Sequence, residues 1–313
     1  MTISTAPVPA GVSARRRALR LVAIAACLPY LSLKLAWIAG SHLGIPDGSP
    51  LLEHRLTMAL INGLTVLMDA TVVVLALLLT RPWGRRVSAW LLAVPMWLAV
   101  GLLAPIMVGF PLQLVLHGGE GGHSDGRPFL ADWVFSVVYS GFIVQGLALG
   151  TLFAGYARER WGHLWRGRVG ELPAGSRPAK AQRRTAVTAA LVALFPGAVR
   201  LLCACGAADL DRGGHRSMQC VYVLFLTAAV TGAWQLAFRR GRGLPVAVPL
   251  TLAWTGSGAV ACWAGWVWLA VLVSGDRPTA LTDLTYAGQM VSGFLVASVI
   301  ARFLRDRPVK APR

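Results

Sequence analysis

The chain has few charged residues and very few acidic ones. Only 14% of its 313 residues are Asp, Glu, Lys or Arg, and 13 of these are acidic. Soluble globular chains carry about 25% charged residues. Hydrophobic residues make up 56% of the chain, and the mean hydropathy is +0.60. The shortage of charge argues against a soluble fold, and the composition is typical of a polytopic membrane protein.

Recognisable catalytic and metal-binding motifs are also missing. The chain contains no phosphate-binding glycine loop, no zinc motif and no nucleophile elbow, and its five cysteines show no CxxC spacing. We therefore predict no catalytic residue and no cofactor. Cys205 and Cys220 fall near the ends of two neighbouring apolar runs, so they are interpreted either as a disulfide or as two separate thiols.

Eight apolar runs are long enough to cross about 30 Å of hydrocarbon as helices. The runs are continuously apolar rather than alternating, which disfavours membrane-spanning strands. The sequence therefore predicts an all-α protein with eight transmembrane helices. The predicted spans are 19–40, 56–80, 87–116, 131–157, 185–206, 217–238, 244–273 and 281–304.

The net charge of +17 is distributed unevenly over the segments that connect these spans. Taken alternately, the segments on one side hold 23 Lys and Arg with three acids, and those on the other side hold five Arg with nine acids. The positive-inside rule accounts for this bias, so we predict a cell-membrane protein with both termini in the cytoplasm and no nucleic-acid partner.

The fourth and eighth spans resemble each other. Tyr139–Arg160 begins YSGFIVQG and Tyr286–Arg307 begins YAGQMVSG, and these 22-residue segments share seven identities without a gap. Further similarities in the same order lie before spans two and six and in the loops that precede spans four and eight. We predict two parallel four-helix repeats related by a pseudo-twofold axis along the membrane normal. The predicted domains are residues 1–160, a basic cytoplasmic linker at 161–184, and residues 185–313.

Each of these two similar spans carries small residues at every fourth position. Such a stripe lets helix backbones approach closely in lipid, where apolar burial provides no drive between helices. We therefore predict that spans four and eight form packing seams through these stripes. The residues are Gly146, Gly150 and Ala154 in span four and Gly293, Ala297 and Ala301 in span eight.

Span two carries the strongest candidate for a functional site. Asp69 is an ionisable residue near the middle of an apolar run, where charge is costly. Arg55 and Asn62 precede it at intervals of seven, with Thr65 between, so all four fall on one helix face. This polar stripe is interpreted either as the lining of a path for a small molecule, proton or cation, or as a protonated Asp69 that bonds a neighbouring helix.

Two basic residues lie inside the first and fifth spans at similar depth. Lys34 follows Pro29, and Arg200 follows Pro196. By helix rise, Lys34 lies about 10–12 Å in depth from Asp69, which is too far for a direct pair. Both bases are interpreted either as side chains that extend to the membrane surface or as a site for an anion or a lipid headgroup.

Parts of the chain resemble known membrane families. The segments LPYLSLKLAWIAG (from Leu28), LLLTRPWGRRVSAWLLAVPMW (from Leu77) and VFSVVYSGFIVQGLALGTLFAGYARERWG (from Val134) resemble uncharacterised multi-pass proteins of high-GC actinobacteria, a resemblance that implies no activity. The HisArg pairs at His54 and His215 are similar to those of haem A synthase, which also has two four-helix halves. That resemblance implies haem ligation by His54 and His215, although spans four and eight lack the further histidines of that family.

The sequence thus favours an integral membrane protein that carries a small molecule or ion. Its predicted partners are the lipid bilayer and that unidentified solute, and its oligomeric state is left open. Two alternatives remain at this stage. One is a membrane oxidoreductase that binds haem or quinone, and the other is a non-catalytic accessory subunit.

Overall fold

A computed structural model describes residues 14–47, 49, 55–117, 130–171, 180–208, 216–274 and 278–307. Within these residues, eight helices are long and apolar enough to cross a membrane. The predicted all-helical, multi-pass class is therefore confirmed, and each predicted span overlaps one helix. The helices are α1 (Ala14–Ile38), α2 (Arg55–Thr80), α3 (Ala89–His117), α4 (Asp132–Trp165), α5 (Lys180–Ala204), α6 (Arg216–Phe238), α7 (Ala247–Ser274) and α8 (Ala280–Arg305).

The helices alternate in direction, so α1 begins and α8 ends on the same side of the bundle. We call this the termini side, and the opposite side the far side. On the termini side a short 3-10 helix, Pro82–Arg86, joins α2 to α3. On the far side the backbone of Ala131 donates a hydrogen bond to the Gly44 carbonyl. The α1–α2 connection is thereby tied to the start of α4.

The fourth helix is longer than the sequence predicts. It was expected to end at 157, yet α4 continues to Trp165. Its last turns are held by neighbours on the termini side, because Glu159 forms ion pairs with Arg16 and Arg85. Charged residues assigned to a connector on polarity alone therefore extend α4 beyond the apolar stretch. Together with the start of α5 at Lys180, this shortens the non-helical part of the predicted 161–184 linker.

The two halves, α1–α4 and α5–α8, have corresponding helix neighbours. In the first half α1 packs against α2 and α4, and in the second half α5 packs against α6 and α8. Each half has its own cluster of buried apolar side chains near the termini side. These clusters hold the helices of each half together where they converge.

The halves differ in how the second and third helices pack. Helix α6 lies along α7, because Gly232 and Gly256 bring the two backbones together. A Cβ added to Gly256 would lie 2.5 Å from the Ala229 nitrogen, and one added to Gly232 would lie 2.5 Å from the Ala253 nitrogen. Helix α2 touches α3 only briefly. The second half is therefore closed between these helices, and the first half is open.

The halves meet along α3 and α7. A Cβ added to Gly101 would lie 2.4 Å from the Gly258 carbonyl oxygen, so only glycine permits this approach. Beside the crossing, Trp97 Nε1 donates a 3.0 Å hydrogen bond to Ser257 Oγ. One close backbone contact and one polar contact thus position the first half against the second.

Glycines in the similar segments of α4 and α8 have matching neighbours. A Cβ on Gly141 would lie 3.1 Å from the Ala26 carbonyl oxygen in α1, and one on Gly288 would lie 3.3 Å from Pro196 in α5. Five residues further along, Gly146 lies against Met107 of α3, and Gly293 lies against Ala261 of α7. In each half, these two positions therefore contact the first and third helices.

The predicted packing stripes do not continue beyond those positions. No atom lies within 4 Å of a Cβ built on Gly150, and Ala154 and Ala301 are exposed, while Ala297 is partly buried. Among the described residues, contacts with neighbouring helices therefore stop short of Gly150, Ala154 and Ala301, and a packing role for these three residues stays a prediction. The reason is the limited length of the contact, because spacing by four identifies a face but not how far a neighbouring helix follows it.

Candidate functional site

A cavity of about 800 Å³ lies in the first half, between α2, α3 and α4, and reaches α7 and α8. It extends from mid-membrane residues such as Asp69 towards Trp37 and Leu130 near the far side. Most of its wall is aliphatic or aromatic. Its size and lining are those of sites that bind small molecules.

The polar stripe predicted on α2 is buried where its side chains are described. Asn62, Thr65 and Asp69 are 4%, 6% and 3% exposed. Thr65 and Asp69 line the cavity, whereas Asn62 lies next to it, behind Lys34. Arg55 begins α2, but its side chain lies outside the described part of the structure.

Lys34 closes the far-side end of this polar group. Its Nζ donates a 2.8 Å hydrogen bond to Asn62 Oδ1 and lies 4.8 Å from the ring centroids of both Tyr30 and Trp37. The interpretation that Lys34 extends to the membrane surface is therefore wrong. Depth alone could not reveal this, because two aromatic rings on its own helix and an amide on α2 hold the ammonium group inside.

Asp69 meets an amide that the sequence analysis overlooked. Gln145 of α4 is 2% exposed, lines the cavity and lies beside the Asp69 carboxyl group. Asp69 Oδ2 and Gln145 Oε1 are buried and have no hydrogen-bond partner among the described residues. The signal was a single glutamine in the apolar segment YSGFIVQG, which a search for ionisable groups passes over.

Tyrosines complete the polar end of the cavity. Tyr30 lies within hydrogen-bonding reach of Thr65, and Tyr139 lines the wall beside Phe110, with ring centroids 5.1 Å apart. Lys34 makes its hydrogen bond to Asn62 and not to Asp69. The site therefore combines an acidic and a basic side chain, and the amide of Asn62 is the hydrogen-bond acceptor of the basic one.

Arg200 occupies a different environment in the second half. It is 1% exposed and donates hydrogen bonds to Gln219 Oε1 at 2.9 Å and to Gln289 Oε1 at 3.3 Å. Its guanidinium lies 4.6 Å from the Tyr222 ring centroid and 4.9 Å from that of Tyr286. The interpretation as a surface-reaching base is wrong here too, and Arg200 does not line the described cavity.

The weakest sequence candidates lie outside this site. His54 and His215 fall outside the described residues, so their haem-ligand role stays a prediction. Cys205 and Cys220 are separate, exposed thiols. In the part of the chain that the structure describes, no three His, Cys, Asp or Glu residues are grouped as a metal site would require.

Comparison with known proteins adds no family to this description. No protein-family profile, curated protein or solved structure matches the chain. The structure itself defines the class as an integral membrane protein with eight apolar helices. Its most specific feature is an apolar cavity with Asp69, Gln145 and Lys34 at a polar end.

Proposed function

We propose that this chain is a carrier-like membrane protein that binds a small molecule in the cavity of its first half. The observation that carries the proposal is the pair of buried, unpartnered oxygens, Asp69 Oδ2 and Gln145 Oε1, in the cavity wall. A buried polar atom without a partner typically costs about 1–3 kcal/mol. A bound molecule that supplies hydrogen bonds to these atoms would recover that free energy.

Asp69→Asn tests this proposal. In a gently extracted sample, native mass spectrometry should show a retained small molecule whose bound fraction falls at least tenfold in the variant, because hydrogen bonds to charged groups contribute about 1.5–3 kcal/mol. Any proton-coupled transport should be abolished. Asp306→Asn is the matched control, since Asp306 is exposed on the termini side. Equal retention by the wild type and Asp69→Asn would reject the proposed role.

The residues that line the cavity limit which cofactor the oxidoreductase alternative could use. No histidine lines it among the described residues, so the lining does not fit bis-histidine haem ligation. A quinone suits the apolar wall, but its carbonyl oxygens only accept hydrogen bonds and would face the two unpartnered oxygens, Asp69 Oδ2 and Gln145 Oε1. A purified sample without a Soret band and without bound quinone would discard the alternative. The accessory-subunit alternative predicts a stoichiometric partner that co-purifies with the chain.

We also propose that the two halves derive from one duplicated four-helix unit, in the cell membrane, with both termini in the cytoplasm. Matching neighbours of Gly141 and Gly288, and of Gly146 and Gly293, support the duplication. The basic residues on the termini side support the orientation. Labelling of a cysteine placed at Arg168 from outside the cell would contradict it.

A further inference from the structure

The cavity has an opening between α2 and α3. Leu64 of α2 and Leu98 of α3 both line the cavity, yet they are 39% and 44% exposed. The two helices are joined at the termini side by the Pro82–Arg86 segment and make few contacts beyond it. In a membrane, an opening framed by two leucines between spanning helices faces lipid chains. Molecules dissolved in the bilayer can therefore reach the cavity without crossing the bundle surface in water.

At the polar end of the cavity, the donors and acceptors already in use determine which atoms can still bond a ligand. Lys34 can only donate, so its bond fixes the Asn62 carbonyl towards it. Gln145 Oε1 is an amide carbonyl oxygen, which can only accept hydrogen bonds, and Asp69 Oδ2 likewise only accepts when the carboxyl group is ionised. With Asp69 ionised, the two unpartnered oxygens of these cavity-lining residues are therefore both acceptors. They require a ligand that donates hydrogen bonds.

From these two features we infer that the ligand is an amphiphile with an apolar tail and a hydrogen-bond-donating head, an amine or an alcohol, which enters from the bilayer between α2 and α3. The inference rests on the proposed function, because it specifies the molecule that the cavity binds. The head lies beside Asp69 and Gln145, where it can donate to their unpartnered oxygens. The tail lies along the apolar wall formed by Leu102, Ile106 and Trp266. A carboxylate head would face two acceptors and is disfavoured.

Head chemistry can be tested with three probes that share one tail. Dodecylamine, dodecanol and dodecanoate, each with a diazirine at the tail end, are added to the protein in phosphatidylcholine vesicles and photoactivated. Peptide mass spectrometry should show saturable labelling near Leu102 and Trp266 by the amine or the alcohol, at least tenfold above the carboxylate. The stronger of the two identifies the head. Equal labelling by all three probes, or labelling of neither residue by any probe, overturns the ligand class.

The entry route is tested by narrowing the opening. Leu64→Trp and Leu98→Trp should slow both binding and release of the preferred probe about tenfold, with little change in its equilibrium occupancy. Leu67→Trp and Leu91→Trp are the matched controls, because these leucines are exposed on the same two helices but do not line the cavity. Unchanged rates in Leu64→Trp and Leu98→Trp, with unfolding temperatures equal to the wild type, overturn lateral entry.

The outcomes separate this inference from the proposed function. If a molecule is retained in an Asp69-dependent way but the three probes fail to label the cavity, the proposed function stands and the amphiphile class falls. If Asp69→Asn changes neither retention of the native molecule nor labelling by the probes, Asp69 does not recognise the bound molecule and both proposals fall. Gln145→Leu should weaken labelling by the amine or the alcohol and leave the weaker carboxylate labelling unchanged. A misfolded variant would instead lose labelling by all three probes.

Discussion

The two halves of the molecule use corresponding helix neighbours but differ between their second and third helices. In the second half, Gly232 and Gly256 let α6 and α7 approach until their backbones touch. In the first half, α2 presents Met68, Asp69 and Val72 to a cavity instead. Since lipid provides no hydrophobic drive for helix association, small residues decide whether two spans close. Side-chain size at this one interface therefore distinguishes a closely packed half from a half that contains a cavity.

The buried cations show the same difference. Arg200 is surrounded by two glutamine carbonyls and two tyrosine rings, which is a structural role within a closed bundle. Lys34 has one amide partner, two rings and a cavity beside it. The open half therefore places its buried cation at the edge of a cavity, whereas the closed half surrounds its buried cation with protein groups.

The largest expected effect comes from forcing the closed half apart. Gly256→Ala places a Cβ against the α6 backbone, so unfolding stability should fall by about 3 kcal/mol, at the upper end of overpacking costs. Thermal unfolding in detergent, followed by circular dichroism, measures this. Gly150→Ala is the control, because that position is open and alanine favours helix. Equal Tm values for the two variants would contradict the distinction between the halves.

A smaller effect should follow when a buried cation loses an acceptor. Gln289→Leu removes one carbonyl from Arg200 and should cost about 2–3 kcal/mol, the range for hydrogen bonds to charged groups. Asn62→Leu removes the acceptor of Lys34 and should cost about 1 kcal/mol, because water in the cavity can replace it. Denaturant unfolding of both variants compares them. A larger loss in Asn62→Leu would reverse the roles assigned to the two cations.

The contact between the halves should contribute modestly. Trp97→Phe removes the hydrogen bond to Ser257 while keeping an aromatic ring, and we expect a loss of about 1 kcal/mol. Ser257→Ala should cost a similar amount, and the double variant should cost no more than either alone. A double-mutant cycle of unfolding stability measures the coupling. Additive losses would show that this bond does not join the halves.

The smallest effect is expected at the termini side of the open half. Glu159 pairs with Arg16 and Arg85, but all three side chains are at least one-third exposed. Exposed ion pairs contribute about 0.5 kcal/mol, and salt screens them. Glu159→Gln should therefore lower Tm slightly at low salt and not at 1 M salt. A large, salt-independent loss would mean that these pairs hold the first half together.

Hydropathy and helical spacing predicted much of this architecture. Continuous apolar runs located the eight helices, and the heptad spacing of Asn62 and Asp69 placed them on one buried side of α2. These features depend on one helix at a time. The cavity, the Asp69–Gln145 contact and the burial of Lys34 depend on which helices are neighbours and how closely they pack. Which helices are neighbours, and how closely they pack, cannot be inferred from a single sequence without contact information.

The glutamines show why the similar segments did not reveal the site. Gln145 lies six residues after Tyr139, whereas Gln289 lies three residues after Tyr286. Relative to these tyrosines, Gln145 lies about one helical turn further along its helix than Gln289 does, so both amides fall on a similar face, one beside Asp69 and the other bonded to Arg200. An alignment places a phenylalanine, Phe142, opposite Gln289. A count of identical residues at aligned positions therefore misses that α4 and α8 each carry one buried glutamine.

Hydrogen bonds from Arg160 and Tyr156 fix the termini-side ends of α2 and α3 in the open half. Arg160 donates to the Val87 carbonyl at 2.7 Å, and Tyr156 Oη donates to the Gly84 carbonyl at 3.0 Å, so α4 grips the turn that joins α2 to α3. Because this end is fixed, α2 and α3 can separate only by moving apart at their far-side ends. For the proposed ligand, this geometry confines entry between α2 and α3 to the far-side leaflet, and delivery to the opposite leaflet would require the hydrogen bonds at this turn to break.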